Sequence, residues 1–233
     1  MTSAMGELHA ISHDIRKVGY KKLPRNIERA AVIFSYGKSH RNYEASKECL
    51  QFGKLAKYIQ CELYIFNDPT IDDFIDVMRH FLTQTKQVLL CFTVANRING
   101  KSSSEQPEIP LVNGTVDPEL LYDMLNSKKK ESKLFFFMDG INKPEDWKPE
   151  KNGCNKEGIY VCAPYAVSDD ATQFDTQQES FFASQLKKVV KAYPDESLEN
   201  ISVVLDEQIN PFGLKTFVAS YPAKLVGEQK CFI

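Results

Sequence analysis

Three short apolar runs alternate with two helical patterns in the first hundred residues, and this alternation constrains the fold more than any other feature. Residues 30–36 (AAVIFSY) form a buried-strand signal closed by Gly37. In residues 43–59, Ala45, Cys49, Phe52, Leu55, Ala56 and Ile59 recur at spacings of three and four, which places them on one helical face. Residues 62–66 (ELYIF) give a second strand. Asp68 or Thr70 can cap a helix carrying Phe74, Ile75, Val77, Met78, Phe81 and Leu82, and residues 88–94 (VLLCFTV) give a third strand. A strand-helix-strand-helix-strand unit requires right-handed crossovers, hence a mostly parallel sheet with helices on both faces.

The pattern continues beyond a polar loop at 96–108. Residues 116–124 predict a helix with Asp117 near its cap and Pro118 in the first turn, where a missing N–H costs nothing. Residues 133–138 (KLFFFM) predict a central strand, because an apolar run without alternation suits a position covered on both faces. Residues 143–158, rich in Lys, Glu, Pro and Gly, read as a flexible linker. A strand at 159–163, an amphipathic helix at 178–191 and a short strand at 216–220 (TFVAS) follow. Residues 201–205 fit either a helical turn or an edge strand. The expected fold is therefore α/β, a three-layer α/β/α arrangement around a six-stranded, mostly parallel sheet.

The 233 residues, 42% hydrophobic, supply a substantial core. Twenty-nine basic and 31 acidic residues nearly cancel, so no overall charge steers the chain toward nucleic acid or an anionic membrane. Cys49, Cys61, Cys91, Cys154, Cys162 and Cys231 contain no CxxC pair and read as mostly reduced thiols, which points to a cytoplasmic protein. Neither a signal peptide nor a membrane anchor is expected.

Ligands of an open parallel sheet sit beyond the carboxyl ends of its strands. Those ends here read SYGKSH, TVANR, MDGIN and APY. No GxGxxG or GxxxxGK[ST] is present to cradle a phosphate. Among His9, His13, His40 and His80, only His40 stands at an expected strand end, while His80 reads as a solvated or core-edge side chain. Paired with Cys91 or Cys162, His40 could form a thiolate nucleophile and its base, although both cysteines lie inside apolar runs and suit inert buried thiols better. No metal set has ordinary spacing, and no cofactor is expected. Asp139, with Asp169 and Asp170 one strand away, offers at most a weak cation or basic-group site.

Four segments together resemble the caspase family of cysteine proteases over residues 29–233: KLFFFMDGIN, LVNGTVDPELLYDML, QQESFFASQLKKVVKAY and KTFVASYPAKL. The resemblance implies a large-subunit-like part at 29–142, the linker at 143–158 and a small-subunit-like part at 159–233, preceded by a tail at 1–28 too short for a death-fold module. It also implies a degenerate site. Gly140 takes the place of the family's nucleophilic cysteine, and Val94 or Ala95 that of its histidine. Of the pocket that holds a substrate aspartate, Arg41 corresponds to the first arginine, Met138 replaces a glutamine and Phe174 replaces the second arginine. Losing a paired arginine costs a buried carboxylate about 2–5 kcal/mol of binding.

The connector holds one aspartate, Asp146, followed by the bulky Trp147, so a single uncut chain is expected. The resemblance thus implies a non-catalytic homologue that binds an active caspase and modulates it, activating or inhibiting, in apoptosis. Its contact would be the apolar edge strand Thr216, Phe217, Val218, Ala219 and Ser220, whose unpaired main-chain groups a second chain can cover. The alternatives are a divergent cysteine peptidase using Cys91 or Cys162 with His40, a hydrolase built around Asp139, or a homodimeric scaffold.

Overall fold

The computed structural model describes residues 13–14, 23–35, 43–93, 108–129, 131–139, 141, 143–167, 181–227 and 232. Its sheet has six principal strands: β2 (Ile27–Ser35), β3 (Glu62–Asn67), β4 (Thr85–Thr93), β7 (Lys133–Met138), β8 (Ile159–Ala166) and β9 (Leu214–Tyr221). A two-residue strand, β1 (His13–Asp14), adds parallel to β3, giving the order β1-β3-β2-β4-β7-β8-β9. Pairing is parallel throughout except between β8 and β9. The three-layer α/β/α architecture expected from the alternation is therefore the one observed. Ile27 is buried, and residues 13–14 pair with β3.

Both faces of the sheet are covered. One layer contains α2 (Ile71–Gln84) and α3 (Pro118–Leu125), whose Phe74, Met78, Phe81, Leu121 and Tyr122 pack with Val32, Tyr64, Cys91, Phe136 and Met138. The other contains α1 (Tyr43–Tyr58), α4 (Phe181–Ala192) and α5 (Leu198–Ile209), whose Phe52, Leu55, Leu186, Ile201 and Leu205 pack with Ile33, Ile65, Phe92, Phe135 and Phe137. Successive residues of β7 thus enter opposite layers, which is why KLFFFM shows no polar alternation.

Local signals place the helix starts. The Thr70 hydroxyl accepts from the Asp73 N–H, while the Asp73 carboxylate accepts from the Thr70 N–H, a reciprocal capping box that opens α2. Asp117 caps α3 by accepting from the Leu120 N–H at 2.8 Å, with Pro118 in the first turn. The ambiguous segment 201–205 is helical: Ser197 accepts from the Asn200 N–H, and Leu198, Ile201, Leu205 and Ile209 form the buried stripe of α5. His80 has its Nε2 2.9 Å from the Pro24 carbonyl oxygen and packs edge-on against Phe81, a core-edge position.

Two expectations need correction. Residues 116–124 do not form one helix, because Val116 belongs to a hairpin of β5 (Ile109–Leu111) and β6 (Gly114–Val116). The two-residue loop is Val112-Asn113, and Gly114 opens β6 opposite Leu111. Asn113 also accepts from the Ile71 N–H at 2.8 Å, tying the hairpin to the start of α2. The stretch 143–158 is not an extended connector but two short 3-10 turns, Pro144–Trp147 and Pro149–Asn152. Trp147 is fully buried, and its carbonyl accepts from the Tyr122 hydroxyl at 2.6 Å. One aromatic side chain is enough to pull an otherwise polar segment onto the core.

Trp147 is the sole tryptophan of the chain, so its fluorescence should be blue-shifted in the native protein and report global unfolding. Trp147→Ala should lower unfolding free energy by about 3–5 kcal/mol, measured by urea denaturation followed by circular dichroism. With Trp147 buried directly after Asp146, the native chain should also resist cleavage at that bond by an aspartate-specific protease, as read by gel electrophoresis.

Candidate functional site

The parallel register brings the carboxyl ends of four strands to one edge of the sheet. Ser35 pairs with Asn67, Phe34 with Thr93, and Thr93 with Met138. The chain leaving these ends is held by main-chain bonds that extend the ladder. The Asp68 N–H donates to the Ser35 carbonyl at 2.8 Å, the Asp139 N–H to Thr93 at 2.9 Å, and the Ile141 N–H to Pro164 at 2.9 Å. The segment after β7 therefore crosses from the end of β4 to the end of β8 within three residues. Ile141 completes the crossing as an isolated bridge to Tyr165.

This geometry changes the standing of the sequence-derived residues. Met138 is fully buried among core side chains. Asp139 is half-buried and is the first polar side chain beyond β7. Val94, Ala95, Gly140, Arg41, His40, Phe174, Asp169 and Asp170 lie outside the described residues. Among the described residues, no group of three or more His, Cys, Asp or Glu side chains is placed to hold a metal ion. The polar groups that strand-end reasoning passed over are Ser35, Asn67, Asp68 and Thr93. Their signal is a lone polar residue ending each apolar run, which periodicity counts only as a boundary.

Cys91 and Cys162 are both buried, but they face opposite layers. Cys91 meets Met78 with its sulfur 3.5 Å from the thioether, whereas Cys162 belongs to the layer of Phe52 and Phe137. Burial alone pushes the Cys91 thiol well above its ordinary value, leaving it protonated at neutral pH. Cys61, also buried, is pushed up to about 11 by the same desolvation, which the Arg29 guanidinium only partly offsets.

At the opposite side of the sheet, β9 pairs, among the described residues, only with β8. Of its five expected contact residues, Phe217 is buried in the core and Ser220 is 1% exposed, its hydroxyl donating within the turn formed by Pro222 and Ala223. Thr216, Val218 and Ala219 are half-buried. The expected contact surface is accordingly narrower than the five-residue strand, because strand alternation turns Phe217 inward and the following turn covers Ser220.

No protein-family model matches the sequence, and no curated protein does. Solved structures do match. Protein GSU0716 from Geobacter sulfurreducens is similar over 88% of this chain and 98% of its own, with a TM-score of 0.61 and 11% identity. Caspase-1 from Spodoptera frugiperda is similar over 85% of this chain and 88% of its own, with a TM-score of 0.53 and 10% identity. The fold is caspase-like. At these identities the likeness concerns the fold alone. No helix among the described residues is long and apolar enough to cross a membrane.

Native protein at pH 7.5 should leave Cys91 and Cys162 unmodified by iodoacetamide, whereas both should react after denaturation, as read by peptide mass spectrometry. Native labelling of Cys91 that disappears on changing His40 would revive a cysteine-histidine pair.

Proposed function

We propose that this chain is a non-catalytic caspase homologue that binds an active caspase and modulates it, within the control of apoptosis. The observation carrying this reading is a caspase-like sheet whose β7, the strand that in the resemblance leads to the nucleophile, ends in a buried Met138 followed by Asp139. The nearby strand cysteines point into two different apolar layers, which favours binding over hydrolysis.

The contact is assigned to β9. It is an edge strand of the sheet, and Thr216, Val218 and Ala219 keep partial solvent access there. An active caspase is the preferred partner, since a folded homologue can supply contacts that order a neighbour's loops without chemistry of its own. The expected sign is activation. A homodimer using the same strand is the second reading. Neither requires nucleic acid, membrane or a cofactor.

The test is to add purified protein to active caspases from the same source, follow cleavage of a fluorogenic aspartyl peptide, and measure co-precipitation. Binding with a rise in rate is expected. Val218→Asp, which puts a carboxylate on the edge, should weaken co-precipitation by about tenfold or more. Phe217→Asp is unsuitable because its core position would unfold the strand. If no active caspase binds and none changes in rate, the reading is wrong. Cleavage of a diverse peptide library by the chain alone would instead favour the peptidase alternative.

A further inference from the structure

The outer edge of β9 is not uniformly open. Residues of an antiparallel strand direct their N–H and C=O groups alternately toward and away from the neighbouring strand. The Gly213 carbonyl accepts from the Val167 N–H and the Tyr221 carbonyl from the Gly158 N–H, so odd-numbered residues of β9 face β8. Thr216 lies opposite Pro164, which has no N–H and whose carbonyl accepts instead from Ile141 on the side of β7. Thr216 and Val218 therefore direct their main-chain groups outward.

One of those outward donors is already engaged. The Asp206 carboxylate, projecting from α5, accepts from the Thr216 N–H at 2.6 Å. A charged acceptor at that distance makes a stronger bond than a neutral carbonyl of an incoming strand. A strand laid along β9 must displace the carboxylate or forgo the bond at Thr216. At the other end Ser220 is closed off by burial. The side chain thus occupies one of the outward donors, Thr216, that an added ladder would use.

We infer that Asp206 guards the edge of β9, restraining the chain from pairing edge to edge with a second copy of itself. The guard depends on a helical side chain meeting a strand N–H, a device distinct from the lysines and prolines that blunt many edges. The same carboxylate meets any strand laid along β9, so a caspase contact there must displace it or engage β9 beyond Thr216.

Sedimentation velocity over a concentration series tests the guard. Asp206→Ala should strengthen self-association roughly tenfold or more, since a two-fold pair regains one donor from each copy. Asp206→Asn, whose neutral amide oxygen accepts no more strongly than an incoming carbonyl, should fall between the wild type and Asp206→Ala. The double variant Asp206→Ala/Thr216→Pro should lose the gain, because proline removes the freed N–H without touching the β8 ladder. Unchanged association in Asp206→Ala, or a double variant that associates as strongly as the single, overturns the guard. Should Asp206→Ala fail to fold, amide exchange in the wild type decides. A Thr216 amide exchanging more slowly than Val218 sustains the guard, and one exchanging as fast overturns it.

Discussion

Along β7, Phe135 and Phe137 enter one layer while Leu134, Phe136 and Met138 enter the other, and the strand can hold its central place only because helices cover both faces. Phe135 lies against Tyr160 at 4.6 Å between ring centroids and against Phe232 at 4.7 Å, so β7 joins its neighbour strand and the far end of the chain into one aromatic layer. Arg29 adds a polar tie, donating to the Phe232 carbonyl at 2.6 Å. Polar groups are thereby excluded from the strand bodies and collect where the strands end.

That exclusion bears on chemistry. Cys91 in the body of β4 is kept protonated by burial, and Cys162 in β8 is buried in the opposite layer. What remains at the carboxyl ends is a set of short polar side chains, Ser35, Asn67, Asp68, Thr93 and Asp139, held by an extended ladder of main-chain bonds. The opposite boundary of the sheet has its own constraint, since among the described residues β9 has one neighbour and its outward groups need another partner, as Asp206 is for Thr216.

Much of the architecture was legible because hydrophobic periodicity is local. The strand runs, the faces of α1 and α2 and the caps at Thr70 and Asp117 all announce themselves within a few residues. The hairpin of β5 and β6 was not read, because its strands of three residues each are too short to show an alternation of their own. The candidate site was legible only as a location, the strand ends, and as the absence of a familiar motif from them. Which side chains are buried there depends on register across strands far apart in sequence.

The sequence by itself determined an α/β sheet covered on both faces, because runs of apolar residues at periods of 3.6 and without alternation admit no other economical burial. Only the tertiary structure decided the rest. It folded 143–158 around Trp147, sent Cys91 and Cys162 into separate layers, turned Phe217 inward and set Asp206 against Thr216. Each of these is a contact between segments brought together by the sheet, and its strength lies in burial and main-chain geometry that no local pattern encodes.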